Sequence, residues 1–522
     1  MLASGAVIAS TRTSRGGLVS LAAHLALAGG VVAAAATLAG GEATHARGGS
    51  APDTVAAARP NVVVVMTDDQ DARSLWAMPK TRRLLADRGT TFTRAYASFP
   101  LCCPARATFL TGQHAHNHGV EANGVEGGIL ELDATNTLPV WLRRAGYVTA
   151  HVGRYLNGYG LPLGRGVSFA QAKREVPPGW NRWVALTGPR AFRMYGYELN
   201  RNGRLKRYGR RTRAYQTDVL GRSAARIARK LAGGERPLFL SIASLAVHVE
   251  RVGRDHAIAP RPARRHRGAS KRKPNRKRFR PPPSFGEPDV SDKPELVRRL
   301  PRFDAETRRA LRERYRARGE SLMAVDDAVG RIARALHRAG ELGNTLFVFT
   351  SDQGTLVGEH RLRGAKRWLY EESARVPLIL RGPAIPAGAR RGQIVSNVDL
   401  APTILDAAGA TGHAGLTLDG ASLLPLTRDP ELGRSRAILF ESESRDGVPF
   451  AGVRARGWAY LEHGPDATEL YDMERDPYQL ESLHDSPEHA GVKQALKGLL
   501  ETMRDCAGTA GPNRCYRELA IP

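Results

Sequence analysis

The chain has 522 residues, 42% hydrophobic and 25% charged, which excludes a single minimal domain and allows one large core with a smaller one beside it. A formal net charge of +27 favours anionic partners. Almost half of that charge is local, because residues 251–280 hold 13 Lys or Arg against the single acid Asp255.

In chain order, Arg12 and Arg15 precede Leu18 to Gly40, which contains no Asp, Glu, Lys or Arg, and Thr44-His45-Ala46 comes next. This pattern predicts a cleavable secretory signal over residues 1–46 and an exported protein, secreted or held in the cell envelope. The apolar stretch is also long enough to span a bilayer, so an uncleaved N-terminal anchor is the alternative, and only then is a membrane involved. Residues 47–58 read as a linker. Asn61 to Met66 is a continuous apolar run behind Pro60, as expected of a strand covered on both faces. Similar runs recur at Tyr147 to Val152, Pro237 to Ala243, Thr345 to Thr350 and Val376 to Leu380. Helical patterns separate them at Lys80 to Arg88, Thr137 to Ala145 and Ala305 to Ala339. The alternation predicts an α/β domain over 59–433, with a parallel sheet and helices on both faces. The arginine-rich stretch, ending in Pro281-Pro282-Pro283, lacks apolar periodicity and reads as a basic surface loop at 251–285. From Arg434 the pattern changes to shorter strands at Ala437 to Glu441 and Ala451 to Leu461, with a last helix near Val492 to Arg504. That predicts a C-terminal subdomain over 434–522. Cys506 and Cys515, close together in a polar tail, suit a small disulfide loop in an oxidising compartment.

In open parallel sheets ligands sit beyond the carboxyl ends of the strands, so the residues just past each apolar run are informative. Asp68 and Asp69 come after the first, Arg154 after the second, His248 after the third, and Asp352 with Gln353 after the fourth. Three carboxylates and a carboxamide are hard oxygen ligands and favour Ca²⁺ or Mg²⁺ over zinc. Arg106, Arg154, His248 and Lys366 would surround that ion with cationic groups, a mixture suited to neutralising an oxyanion during displacement. A sulfate or phosphate ester is the expected substrate. His114-Ala115-His116-Asn117-His118 places imidazoles at alternate positions; zinc is one reading, and substrate contact by His116 and His118 is the preferred one.

At Cys102-Cys103-Pro104-Ala105-Arg106, with Leu110-Thr111-Gly112 beyond it, the sequence resembles the sulfatase family. The likeness continues through Thr67-Asp68-Asp69-Gln70, Ser351-Asp352-Gln353-Gly354, Gly358-Glu359-His360, Lys366, Tyr370-Glu371-Glu372-Ser373 and Leu470-Tyr471-Asp472, in family order. The resemblance implies an alkaline-phosphatase-like fold with a large mixed, mostly parallel sheet flanked by helices and a smaller C-terminal α+β subdomain. It implies one divalent ion, usually Ca²⁺ and less often Mg²⁺, held by Asp68, Asp69, Asp352, Gln353 and a modified Cys102. It also implies that a formylglycine-generating enzyme oxidises Cys102 to an aldehyde. One hydroxyl of the hydrated aldehyde then attacks sulfur, and the other expels sulfate by reforming the aldehyde. Arg106 supports the modified residue, while Lys366 and His248 contact sulfate and protonate the leaving oxygen. Tyr155-Leu156-Asn157 and the Cys-Cys-Pro variant look closest to the N-acetylglucosamine-6-sulfatase branch. A sulfated small molecule or saccharide is therefore the expected partner, with Asn157 contacting it, and no nucleic acid.

The chain also departs from the family pattern. Arg154 stands where lysine is usual, Val247 replaces the proline before His248, Gln353 replaces asparagine or histidine, and no histidine occupies the position of the usual base for sulfate elimination. Two alternatives stand beside the sulfatase reading: a formylglycine-dependent phosphodiesterase or phosphonate monoester hydrolase, and a degenerate, non-catalytic binder of polyanions.

Overall fold

Four valines lie in Asn61–Thr67, and every residue of this segment is buried. Such a β-branched run suits a strand covered on both faces. This strand, β1, is followed by β2 (Thr90–Tyr96), β3 (Val148–Gly153), β4 (Arg182–Leu186), β5 (Glu198–Arg201), β6 (Arg204–Arg207) and β7 (Leu238–Ala243). A two-residue ladder, β8 (Arg251–Val252) with β9 (Asp255–His256), stands apart. Then come β10 (Thr345–Ser351), β11 (Arg375–Arg381) and β12 (Ala389–Ser396). In this computed structural model, which describes residues 59–518 apart from 164–165, 253–254, 257–258, 273–279, 411–414, 445–446 and 466, ten of these strands form one sheet. Its order is β12-β2-β11-β10-β1-β7-β3-β4-β5-β6. The expected signal and linker lie outside the described residues, as does part of the basic stretch.

The alternation of β1 sorts its side chains into two layers. Val62, Val64 and Met66 pack with the helices Cys102–Thr111, Leu138–Arg144 and Leu400–Ala407; Val63 and Val65 pack with Gln216–Leu231 and Ala305–Arg338. Each valine buried this way contributes roughly 1.5–3 kcal/mol. The sheet is mixed and mostly parallel: β1 runs parallel to β10 and β7, and β3 to β7 and β4. Val376 to Leu380, expected to extend the parallel set, instead lies in β11, which is antiparallel to both β10 and β2.

A second, antiparallel sheet contains β13 (Arg436–Glu443), β14 (Pro449–Ala455), β15 (Trp458–His463), β16 (Thr468–Asp472) and β17 (Arg517–Glu518), in the order β16-β15-β14-β13-β17. The single strand expected over Ala451 to Leu461 is thus a hairpin. Its chain reverses at Arg456-Gly457, where Arg456 takes the left-handed φ of 48°. The helix Ala490–Met503 packs on one face through Leu496, Leu500 and Met503. The other face shares a core with the large sheet, Tyr96 and Tyr370 meeting Phe440, Phe450 and Tyr471. Cys506 and Cys515 form the expected disulfide.

The basic stretch is not uniformly a free loop. Arg265 forks onto Asp218 at 2.6 and 2.7 Å and reaches Asp327 at 2.7 Å, while Ser270 donates to Glu320 at 2.6 Å. These acids belong to Gln216–Leu231 and Ala305–Arg338, so part of the basic charge is committed to holding the stretch against two helices. Among the described residues no helix is long and apolar enough to cross a membrane.

Candidate active site

β1 and β10 pair with Thr67 opposite Ser351. Their carboxyl ends therefore coincide, which sets Asp68 and Asp69 beside Asp352 and Gln353. The Asp69 N–H donates to Asp352 Oδ1 at 3.2 Å, and Asp69 takes a φ of 68°, unusual for a residue with a Cβ. β7 and β3 lie next in order and deliver His248 and Arg154 to the same edge. At the end of β3 a glycine is required: a Cβ on Gly153, whose φ is +129°, would lie 2.7 Å from the Ala243 carbonyl carbon. Arg154 comes immediately after it.

Cys102 opens the helix Cys102–Thr111, and Arg106 lies one turn later on the same face. Arg106 donates from Nε to Asp352 Oδ2 at 2.9 Å and from Nη2 to Asp68 Oδ2 at 3.2 Å, so it fixes two of the three acids. Arg154 pairs with Asp68, bonds Asn157 Oδ1 and lies over the Phe192 ring at 4.7 Å. The Cys102 sulfur receives donors from Lys366 Nζ and Gln353 Nε2, both at 3.3 Å, and is 3.9 Å from Asp68 Oδ1. Burial pushes this thiol up to about 11, with Lys366 opposing the shift and Asp352 and Asp69 adding to it. At neutral pH it is a thiol rather than a thiolate. Burial alone would lower the Lys366 ammonium, but Asp69, Cys102 and Asp352 together raise it above its ordinary value. His248 Nδ1 is 2.7 Å from the Val249 carbonyl, which can only accept, so Nδ1 carries a proton and Nε2 faces Asp69 at 3.9 Å.

Asp69, Cys102, Asn157, His248 and Lys366 line one cleft of about 750 Å³, with Phe192, Arg314, Arg363 and Trp368 also on its wall. Asp68, Cys102 and Asp352 can bring one ligand atom each within 4.8 Å of one another, and so can Asp68, Asp69 and His248. Gln353 Oε1 is buried and has no partner among the described residues, while Nε2 of the same amide donates to Asp69 Oδ1 at 2.7 Å. An amide beside three hard carboxylates, whose carbonyl oxygen lacks a partner and reaches the acids once the amide is turned over, fits an oxygen-seeking divalent cation.

His116 and His118 lie outside this cleft. They sit on the short helix Ala115–His118. His116 Nδ1 meets Glu441 Oε1 at 2.6 Å and Nε2 meets the Cys506 carbonyl at 2.8 Å. Both ring nitrogens therefore serve to clasp the C-terminal segment. His118 accepts from the Val120 N–H and meets Thr108 Oγ1 at 3.1 Å, buried beside the helix that starts at Cys102. Phe192 and Arg314 were not foreseen from the sequence. Arg314 is one of many arginines in its helix, and Phe192 lies outside every apolar run, so neither carried a local signal.

The mixed sheet flanked by helices, with the acids and a cysteine-led helix at its carboxyl edge, defines an alkaline-phosphatase-like fold. A solved protein in complex with its substrate D-glucosamine-2-N,6-O-disulfate superposes with a TM-score of 0.70 at 25% identity, covering 85% of this chain and 97% of that one. The family model described as Sulfatase matches residues 60–410, and one described as N-sulphoglucosamine sulphohydrolase, C-terminal, matches 358–506. The chain belongs to the sulfatase family. It is similar to the N-acetylglucosamine-6-sulfatase of Homo sapiens, 35% identical over 381 residues, or 71% of this chain and 64% of that protein. It is also similar to the arylsulfatase of Volvox carteri, 30% identical over 528 residues, or 89% and 78% of the two chains. The chain thus spans less than two thirds of the human relative's length.

Proposed function

We propose that the protein is an exported sulfatase that hydrolyses a sulfate monoester of a saccharide to an alcohol and inorganic sulfate, with Cys102 converted to formylglycine. The carrying observation is the convergence on one atom: Lys366 Nζ, Gln353 Nε2 and Asp68 Oδ1 all face Cys102 Sγ on the wall of the cleft. Formylglycine, once hydrated, supplies one hydroxyl for attack on sulfur and a second through which sulfate is expelled. Around it, Lys366 holds positive charge against the sulfate oxygens, and Arg154, buried and paired with Asp68, adds positive charge beside the acids. His248 Nε2, with its other nitrogen committed to Val249, is oriented to pass a proton to the leaving oxygen. Arg106 acts through Asp68 and Asp352 as a positioning residue.

Asp68, Asp69, Asp352 and Gln353, with the residue at 102, are the groups proposed to hold the cation. Three carboxylates and an amide make a better set for Ca²⁺, which takes six to eight oxygens, than for Mg²⁺, which keeps most of its water. Bound there, Ca²⁺ supplies charge to neutralise the sulfate oxygens. Export is supported by the Cys506–Cys515 disulfide and by the apolar N-terminal pattern. A formylglycine-generating enzyme is the expected maturation partner. The relatives named as sulfatases and the intact acid set favour this reading over a phosphonate hydrolase or a polyanion binder, and a 6-sulfated N-acetylglucosamine is the first substrate to try.

The test is sulfate release from 6-sulfated N-acetylglucosamine and from 4-nitrophenyl sulfate, by protein whose aldehyde at residue 102 has been verified by peptide mass spectrometry. Calcium-dependent release supports the proposal. No release from any sulfated saccharide or aryl sulfate by verified aldehyde-bearing protein overturns it.

A further inference from the structure

One side chain of the cleft has no part in the chemistry described so far. Arg314 lies one turn before Arg318 on the helix Ala305–Arg338 and lines the same cleft as Cys102 and Lys366. The two arginines differ in what they meet. Arg318 is turned behind the site, donating to Asp71 Oδ2 and to the Asp69 carbonyl, both at 2.8 Å. Arg314 makes no hydrogen bond or ion pair with any described residue, and its Nε is buried without an acceptor.

Its place is nonetheless built. The guanidinium lies against Gly364, where φ is +91° and an added Cβ would come within 2.6 Å of Nη2 and 2.8 Å of Cζ. The missing side chain at 364 is what makes the room. Two residues on, the same loop carries Lys366 to Cys102, and one residue back Arg363 also lines the cleft, its guanidinium over the Phe303 ring at 5.2 Å. Two acids act on Arg314 from a distance: Asp69, already paired with Lys366 and Gln353, and Glu359, which is buried and accepts the Val357 N–H. A partly buried guanidinium without an acceptor bears a desolvation cost that an anion from outside offsets. Its planar fork matches the oxygens of a sulfo group or a carboxylate. A cleft of about 750 Å³ has room for more than the reacting ester.

We infer that Arg314, with Arg363 beside it, forms a second anion subsite in the cleft, which takes a sulfo or carboxylate group other than the sulfate being removed. The substrate class is then a saccharide with two neighbouring anionic groups. The inference rests on the saccharide sulfatase reading for its substrate, whereas the subsite itself is testable by binding alone.

Calorimetric titration of the mature, calcium-loaded protein and its Arg314→Gln variant would use three sugars that lack a 6-sulfate: glucosamine-N-sulfate, N-acetylglucosamine, and a uronic acid–N-acetylglucosamine disaccharide. The expected result is at least tenfold tighter binding of one or both anionic sugars than of N-acetylglucosamine, with the preference lost in the folded variant. Which of the two gains identifies the group as sulfo or carboxylate. In turnover, the ratio of kcat/KM for a doubly anionic 6-sulfated sugar to that for 4-nitrophenyl sulfate should fall at least tenfold in Arg314→Gln, through KM. A binding preference without turnover of any sulfate ester would sink the proposed function and leave the subsite standing. Equal affinity for charged and uncharged sugars in the unaltered protein, or an unchanged ratio in a folded variant, would overturn the subsite.

Discussion

Lys366 Nζ stands 3.3 Å from Cys102 Sγ, and the same ammonium lies 2.5 Å from Asp69 Oδ1. One cation therefore ties the proposed nucleophile to the proposed metal-binding set. The two roles constrain each other, since a lysine that moved to bind sulfate would loosen Asp69, while Gln353 keeps a second hold on both partners.

Replacing Lys366 by methionine should lower kcat on 4-nitrophenyl sulfate by about 10²- to 10³-fold, the usual cost of deleting one preorganised charge donor. Lys366→Arg should recover part of that loss. The raised pKa of Lys366 keeps it protonated below its ordinary value near 10.5, so its contribution is complete at lower pH and fades only as pH rises through the higher folded value. A rate profile between pH 6 and 9 should show no step that disappears in Lys366→Met; such a step would contradict the assignment.

The adjacent cysteines should separate cleanly. Cys103 Sγ accepts the Asn157 N–H at 3.0 Å, and burial pushes it up to about 12, so it is an inert, structural thiol. Cys103→Ser should keep measurable activity and lose about 1 kcal/mol of stability, because a hydroxyl can still accept from Asn157. Cys102→Ala should abolish turnover, and Cys102→Ser should permit at best one sulfation without efficient release. Peptide mass spectrometry should find the aldehyde at 102; activity surviving in Cys102→Ala would refute the mechanism.

The central strands were legible because a strand covered on both faces must be apolar throughout, as Asn61–Thr67 is. β2, with the sequence TTFTRAY, was not, because a partly exposed, polar-interrupted strand resembles a loop until its partners are known. β11 was visible as an element, but its direction was not. Direction depends on the neighbouring strands, here β10 and β2, and leaves no mark in local composition. The acids of the site were legible for a topological reason: residues just past the apolar runs of a parallel sheet share one edge. The surroundings of His116 and Arg314 were not legible because their partners are distant in sequence, Glu441 and Cys506 for the first and Gly364 for the second.

The His116 clasp gives a pH signature in stability. Burial would lower its imidazole, but the bonds to Glu441 and the Cys506 carbonyl raise it to about 9, and Glu441 in turn is held well below the usual carboxylate range despite its burial. His114, 3.5 Å from Glu441, and Asp419 are the other ionisable side chains nearby. For a histidine raised in the folded state, stability is complete below about 6.5 and is lost as pH rises through 9; for the lowered carboxylate it is complete above about 4.5 and is lost as pH falls. Thermal denaturation of the unaltered protein should therefore show Tm declining between pH 7 and 9.5. In His116→Gln that decline should be largely absent, and Tm at pH 6 should be lower by the equivalent of about 1–3 kcal/mol. Parallel curves for the two proteins would remove the clasp as the cause.

Gln353 offers the sharpest test of the cation. Its Nε2 donates to Asp69 and Cys102 while its buried Oε1 has no partner among the described residues, and the same amide turned over would present the oxygen to the acid cluster. Arg106, Arg154 and Lys366 already pair with Asp68, Asp69 and Asp352, so the acids do not need a metal to be neutral. Removing calcium should therefore lower Tm without unfolding the protein, by an amount set by mass action: about 2.7 kcal/mol between none and 100 times Kd. Gln353→Leu is nearly isosteric and removes only the amide. It should weaken calcium binding by about 10- to 100-fold, the range seen when a residue supporting a metal site is lost, and shrink the calcium-induced rise in Tm in proportion. Gln353→Glu, which adds a fourth carboxylate, should bind calcium at least as tightly as the unaltered protein yet turn over sulfate more slowly, because the added negative charge opposes the ester. Calorimetry with calcium and with magnesium checks both variants. A Gln353→Leu protein with undiminished calcium affinity would exclude the amide from the site.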